Sequence, residues 1–318
     1  MPVEYILNRI GSPKSKSRMK GSVGGVDGAV ILGYQGTLGH QLEQLLPGAV
    51  LWDREEVDVT DFARLEGRLR QLNPAPSVVI NCIAFNDVDG AEDRPDAAFA
   101  LNAEYVGRLA GVANELNALL VHYSTNYVFD GMGGEFVEED EPNPLSTYAK
   151  SKRRGEELAL QNASRCYVIR TAVLFGPKGR SVLSKKSFVD VMLDLSARTD
   201  TIRAVADEVN SVTYAPDLAG ATKALIDSGA ATGIYHLTNS GHASWFEFAG
   251  EIFRLAGRRI NLEPVSSSAF PRKAQRPAKA VLLNTKAAPL RSWQAALTEY
   301  LKDQGVTTLA DLAQPRAL

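Results

Sequence analysis

A short apolar run, Ala29-Val30-Ile31-Leu32, opens directly onto Gly33-Tyr34-Gln35-Gly36-Thr37-Leu38-Gly39, and Asp53 follows twenty residues after Gly33. Glycines at this spacing let the chain turn tightly from a strand into a helix and leave the backbone bare where a pyrophosphate would approach. The helix start supplies N–H donors and partial positive charge, and an acid at the end of the next strand is placed for ribose hydroxyls. Such a turn belongs to a β-α-β unit, which requires parallel strands joined by a crossover helix. The reading is a dinucleotide site. Arg54 beside Asp53 offers a cation for a 2′-phosphate next to an acid for a 2′-hydroxyl, so NADPH and NADH both remain open. Asp58 and Val59, just downstream, are placed to meet an adenine ring.

The rest of the chain repeats this alternation. Apolar runs predict strands at Ala29–Leu32, Ala49–Trp52, Val78–Asn81, Leu119–Tyr123, Cys166–Arg170 and Ile234–Leu237. Helical periodicity fills the intervals at Leu38–Leu46, Asp61–Leu72, Asp96–Leu116, Thr147–Asn162, Phe188–Ala197, Pro216–Asp227 and Ser244–Leu255. The expected fold class is α/β, a doubly wound parallel Rossmann-type sheet with a smaller, discontinuous α/β substrate lobe. Residues 29–175 plus about 205–237 would form the dinucleotide-binding domain, and about 176–204 plus 238–318 the substrate lobe. Residues 1–28 carry Lys14, Lys16, Arg18 and Lys20 among Ser and Gly with no apolar stretch of signal-peptide kind, and read as a flexible leader.

Composition narrows the function classes. Lys+Arg 35 against Asp+Glu 37 is too balanced for the positive field that nucleic acid or acidic lipid demands, so neither is an expected partner. No apolar run approaches the ~18 residues of a membrane span, and the expected compartment is the cytoplasm. Cys82 and Cys166 fall in apolar runs as small buried hydrophobes. The histidines, His40, His122, His236 and His242, show no ligand spacing, and no metal is expected. The acidic run Glu135 to Glu141 reads as a solvated loop, and Trp245, Phe246 and Phe248 as core.

A second constellation carries chemistry. Ser124-Thr125 ends a strand, and Tyr148 and Lys152 stand i, i+4 on a helix, which brings phenol and ammonium to one face. A cation there would lower the phenol pKa, so that Tyr148 gives its proton to the alkoxide formed when a ketone accepts a hydride. Lys152 would also hold the nicotinamide ribose, and Thr125 the carbonyl oxygen. In the second lobe Lys185, Lys186 and Arg276 are candidates for a diphosphate.

These strings together resemble the extended short-chain dehydrogenase/reductases, and within them the dTDP-4-dehydrorhamnose reductase family, over about 29–305. The resemblance rests on Asp53-Arg54-Glu55-Glu56-Val57-Asp58-Val59-Thr60-Asp61, Val88-Asp89-Gly90-Ala91-Glu92 and Ser124-Thr125-Asn126-Tyr127-Val128-Phe129-Asp130-Gly131. It continues through Asn143-Pro144-Leu145, Tyr148-Ala149-Lys150-Ser151-Lys152, Thr213-Tyr214-Ala215-Pro216-Asp217-Leu218-Ala219, Gly233-Ile234-Tyr235-His236-Leu237 and Arg276-Pro277. It implies reduction of a dTDP-4-keto-6-deoxy sugar by NADPH or NADH, in a monomer or homodimer. By the same resemblance Thr125, Asn126, Val173 and Arg276 meet the sugar nucleotide, Tyr148 is the proton donor and Lys152 its cofactor-binding partner. Gly33, Gly36, Thr37, Leu38, Gly39, Asp53, Arg54, Asp58, Val59, Cys82, Ile83, Ala84 and Tyr123 complete the cofactor set.

The chain departs from the family pattern at three places. Asn126 stands where the family usually has Asp, Ala172-Val173 where it has Ser-Trp, and Asn210 and Val212 replace a Gly and a Pro. These leave the redox residues intact and bear on the sugar. Two alternatives stand beside the reductase: a reductase of a different 4-keto nucleotide sugar, and a non-catalytic cofactor-binding regulatory protein on the same fold. A dehydratase or epimerase ranks lower, since Asn126 removes an obvious carboxylate.

Overall fold

The computed structural model describes residues 28–182 and 184–306; apart from Gly28, the expected leader lies outside the described residues. A 6-stranded parallel sheet forms the centre. Its strands are β1 (Ala29–Leu32), β2 (Val50–Trp52), β3 (Val78–Asn81), β4 (Leu119–Thr125), β5 (Cys166–Thr171) and β6 (Gly233–His236), in the spatial order β6-β5-β4-β3-β1-β2. Every residue of β1, β3 and β4 is buried, because helices cover both faces and both sets of alternating side chains need apolar surroundings. Val30, Leu32, Val79 and Leu120 pack on one face with Leu65, Leu69 and Leu109. Ile31, Ile80, Val121 and Ile169 pack on the other with Leu38, Leu42 and Leu218. Ile31 lies opposite Leu51 on one side and Ile80 on the other, so the connections diverge at β1. A crevice opens there, beyond the carboxyl ends of the strands.

Most helices begin where a capping residue stands. Asp61 accepts from Arg64 N before Phe62–Arg70, Ser146 from Ala149 N before Thr147–Asn162, and Ser244 forms a capping box with Glu247 before Trp245–Leu255. The helix expected at Asp96–Leu116 is instead Val88–Asp93, then Pro95–Phe99, a π-helical turn Ala100–Glu104, and Tyr105–Glu115. The wide turn has a local cause. Buried Asn102 donates to Phe85 O at 3.0 Å and to Ser151 Oγ at 2.9 Å, and accepts from Phe85 N at 2.8 Å. Its carbonyl oxygen lies so close to Gly155 that a Cβ there would approach to 2.0 Å.

A 4-stranded sheet, spatially His242–Ser244, Val209–Ser211, Lys279–Leu282 and Gly134–Phe136, lies beside helices Phe188–Ser196, Trp245–Leu255 and Trp293–Asp303. Phe175, Val189, Phe248, Ile252, Leu297 and Tyr300 share a separate core with them. The last helix and these short strands are absent from the sequence expectation; for the strands the reason is that runs of two to five residues carry too little periodicity to register. The acidic run is not wholly solvated as expected. Gly134–Phe136 is a strand, and buried Glu138 accepts from His236 N at 3.1 Å and from Thr285 Oγ1 at 2.7 Å. Both cysteines are free thiols: Cys166 is buried in β5, whereas Cys82 sits one residue past β3 and is partly exposed. Among the described residues no helix is long and apolar enough to cross a membrane, and no group of His, Cys, Asp or Glu could hold a metal ion.

Candidate active site

A cleft of about 690 Å³ lies over the crevice. At its nucleotide end the glycine turn closes with Gly36 N donating to Gly33 O at 3.1 Å. Gly33 has φ 79°, and a Cβ on Gly39 would fall 2.2 Å from Gly33 O, so the turn tolerates no side chain at either place. No side chain caps the helix that starts at Thr37, which leaves its N–H donors to the cleft. Asp53 accepts from Gln35 N at 3.1 Å and Arg54 N at 2.8 Å, fixing the acid at the turn. Asp58 is held below its ordinary pKa, first by the Thr60 N–H and then by the Thr60 hydroxyl. Cys82, Ile83 and Ala84 form the adjoining wall, with Ile83 N donating to Asn81 Oδ1 at 3.2 Å. Burial, then the Asp53 carboxylate, pushes the Cys82 thiol far up. A bare turn, open helix N–H groups and an acid beside a cation suit a dinucleotide.

Gly179 and Arg180, which the sequence reading did not single out for this role, strap the second lobe to that turn. Ser181 N donates to Gln35 O at 3.0 Å, Arg180 pairs with Glu43, and a Cβ on Gly179 would meet Gln35 O at 2.4 Å.

At the other end stand Thr125, Tyr148 and Lys152. β4 delivers Thr125, and the Ser146-capped helix delivers the other two. Thr125 Oγ1 accepts from Tyr127 N at 3.2 Å, and the Tyr127 ring sits edge-on to Tyr148 at 6.3 Å. Lys152 is 2% exposed and donates through Nζ to Tyr123 O at 2.6 Å. Burial lowers its pKa to about 8, with Glu156 one turn further on opposing. The lowered tyrosine pKa expected from the sequence is not found. Burial outweighs the hydrogen bond with Thr125 and pushes the Tyr148 phenol up to about 12, while the ammonium is spent on a backbone carbonyl.

Every residue expected at the cofactor lines this cleft, from Gly33 to Lys152, as do Thr125, Asn126, Val173, Lys185 and Lys186. Arg276 lies apart. Its guanidinium is held by Asp89 at 2.7 and 3.1 Å, which keeps that carboxyl at a pKa of about 2. Val173 has φ 32°, an unusual conformation for a β-branched residue. Trp245, expected in the core, lines the cleft with Nε1 donating to Glu208 at 3.2 Å. Nothing in local periodicity distinguishes an indole at a lobe boundary from one in a core.

The fold and cleft define an extended short-chain dehydrogenase/reductase. The family model of the RmlD substrate binding domain matches residues 28–306, and the chain belongs to that family. It is 38% identical over 286 residues to a dTDP-4-dehydrorhamnose reductase from Streptomyces griseus, covering 85% of this chain and 91% of that protein. It is 37% identical to a probable dTDP-4,6-dihydroxy-2-methyloxan-3-one 4-ketoreductase from Streptomyces antibioticus, covering 86% of this chain and 94% of that protein. The crystal structure of dTDP-4-dehydrorhamnose reductase from Bacillus anthracis in complex with NADP superimposes with a TM-score of 0.80 at 31% identity, covering 86% of this chain and 98% of that one.

Proposed function

We propose that this chain is an NAD(P)H-dependent oxidoreductase that reduces the 4-keto group of a dTDP-6-deoxy sugar, dTDP-4-dehydro-L-rhamnose giving dTDP-L-rhamnose. The observation that carries it is the meeting of Thr125, Tyr148 and Lys152 in the same cleft as the bare glycine turn. The family membership and the relatives named as 4-keto reductases support it.

The nicotinamide, when bound, supplies the hydride for the carbonyl carbon. Gly33, Gly36, Gly39 and the start of the Thr37 helix would hold the pyrophosphate, and Asp53 and Arg54 the adenosine ribose, with a preference for NADPH or for NADH set by which of the two is engaged. Asp58 and Val59 would flank the adenine. Thr125 would turn its single hydroxyl hydrogen from Asn126 Oδ1, 3.4 Å away, to the carbonyl oxygen, and Tyr148 Oη hands that oxygen the proton. A phenol with a pKa of about 12 is fully protonated at neutral pH, and an alkoxide is the stronger base, so the transfer runs downhill. Lys152, held on the carbonyl of Tyr123, would also hold the nicotinamide ribose and balance the tyrosinate left behind.

The expected division gives residues 29–175 with about 205–237 to the dinucleotide and about 176–204 with 238–318 to the sugar nucleotide. On this reading 209–214 go instead with the sugar lobe, because Val209–Ser211 pairs with His242–Ser244 and Lys279–Leu282, and Val212 and Tyr214 join the Phe248 core rather than the Val30 core. Asn126 and Val173 face the sugar, with Lys185 and Lys186 near its diphosphate. Arg276, expected at the sugar nucleotide, is paired with Asp89 and stands beside Tyr127 of the cleft wall. The reading also places a monomer or homodimer in the cytoplasm, consistent with two free thiols and a cleft built by one chain. A 4-keto dTDP sugar other than dehydrorhamnose is favoured by one observation: Val173 gives the cleft wall a small side chain.

The test is loss of nicotinamide absorbance from NADPH and from NADH with enzymatically generated dTDP-4-dehydro-L-rhamnose, beside Tyr148→Phe. Turnover that disappears in the variant supports the reductase. Tight NADPH binding without turnover of any 4-keto sugar would favour the regulatory protein.

A further inference from the structure

We infer that Asn126 and Asn210 form an amide clamp across the two lobes that positions Thr125 for the reaction, and that Asn210 is a positioning residue of this site. The inference rests on the reductase reading above. Asn126 follows Thr125 directly, at the start of the 3-10 turn Asn126–Val128. It is 2% exposed, as is Asn210. Its Nδ2 donates to Asn210 Oδ1 at 2.8 Å and to Ala280 O at 2.9 Å. Asn210 lies on the strand Val209–Ser211 and Ala280 on Lys279–Leu282, where the two residues are register partners.

Two neighbouring acceptors of the second sheet thus consume both hydrogens of one nitrogen. The orientation of the amide follows, because Oδ1 must point away from the two acceptors, and it faces Thr125 Oγ1 at 3.4 Å. A polar chain therefore runs from Thr125 through Asn126 to the second sheet, and Thr125 and the Tyr148 phenol line the same cleft. A carboxylate at position 126 would set oxygen against the oxygen of Ala280 and leave a buried charge without a cation among these contacts. Asn126 consequently serves the sugar by holding Thr125, since its nitrogen has no hydrogen left to give.

The test compares the wild-type chain with Asn210→Leu, Asn210→Asp and Asn126→Asp, using NADPH and dTDP-4-dehydro-L-rhamnose. Asn210→Leu removes the acceptor while keeping the number and branching of side-chain heavy atoms, and kcat should fall about tenfold with the KM for NADPH within twofold. Asn210→Asp keeps an acceptor and should recover most of that loss. Asn126→Asp should lose at least as much as Asn210→Leu. A second readout is independent of turnover: hydrogen exchange of the peptide covering residues 124–128, whose Tyr127 amide is held by Thr125, should quicken in Asn210→Leu and Asn126→Asp but not in Asn210→Asp. Unchanged kcat in an active enzyme, or unchanged exchange in all three variants, would overturn the clamp. A wild type inactive on this sugar would count against the reductase reading alone, with the exchange data still deciding the clamp.

Discussion

Lys152 Nζ reaches across from the helix Thr147–Asn162 to donate to the carbonyl oxygen of Tyr123 in β4, at 2.6 Å. One hydrogen bond thereby sets the distance between the helix that carries Tyr148 and the strand that carries Thr125. It also buries an ammonium.

That burial has a stability cost with a defined pH dependence. The Lys152 pKa lies at about 8 folded against 10.5 unfolded, so between these values the unfolded chain binds more protons and stability rises with pH. Below about pH 8 the cost is full, and the displacement corresponds to at most about 3 kcal/mol. Lys152→Met should therefore raise the thermal midpoint at pH 7, less about 1 kcal/mol for the lost hydrogen bond. The gain should shrink as pH approaches 10 while turnover falls by about a hundredfold or more. Thermal melts of both proteins at pH 7 and pH 10 check this, and a variant less stable than the wild type at both would contradict it.

Tyr148→Phe removes the proposed proton donor and leaves the ring packed edge-on against Tyr127. Turnover should fall by roughly a hundredfold to ten-thousandfold, with NADPH affinity within a few-fold of wild type. Single-turnover absorbance and NADPH fluorescence titration separate the two effects.

Behind the site Glu156 binds Arg170 at 2.9 and 2.8 Å, with the two side chains 0% and 1% exposed. Burial opposes ionisation, but the Arg170 hydrogen bonds and charge hold the Glu156 carboxyl below its ordinary pKa. A carboxyl with a depressed folded pKa contributes stability above its unfolded value and loses it as pH falls through the folded one. Glu156→Gln should destabilise by about 3 kcal/mol at pH 7, because it strands a buried guanidinium. The deficit should narrow in acid. Urea unfolding at pH 7 and pH 4 measures both expectations, and equal midpoints at pH 7 would refute them.

Gly39→Ala and Gly179→Ala test the turn and its strap. A methyl on Gly39 collides with Gly33 O, inside the turn itself, and NADPH binding should be lost. At Gly179 the collision is with Gln35 O, between the lobes, so the fold should survive and the NADPH Kd should rise about tenfold or more. Calorimetric titration with NADPH, alongside circular dichroism, distinguishes the two outcomes.

How much of this was legible in advance follows sequence distance. The turn Gly33 to Gly39, the pair Ser124-Thr125 and the helical spacing of Tyr148 and Lys152 are local patterns. All of them line one cleft. The core strands were legible because burial on both faces writes itself as a continuous apolar run. The break in the helix at Ala100–Glu104 was not, since it depends on Asn102 finding Phe85 and on Gly155 admitting its carbonyl. The direction of the Tyr148 pKa shift was misread for a related reason. Helical spacing puts Lys152 on the same face, but whether its charge or desolvation prevails depends on how deeply other elements cover the phenol.

The amino-acid sequence by itself determined the parallel sheet, the bare glycine turn and the placing of Tyr148 and Lys152 on one helix face, because these follow from backbone sterics and from periods of two and 3.6 residues. Only the tertiary structure decided the contacts between lobes. Asn126 meets Asn210 and Ala280, Arg276 turns to Asp89, Gly179 lies on Gln35, and Trp245 faces the cleft. Such contacts are made where two independently folded surfaces meet, and their partners are chosen by unpaired donors and acceptors on each surface, which no local pattern records.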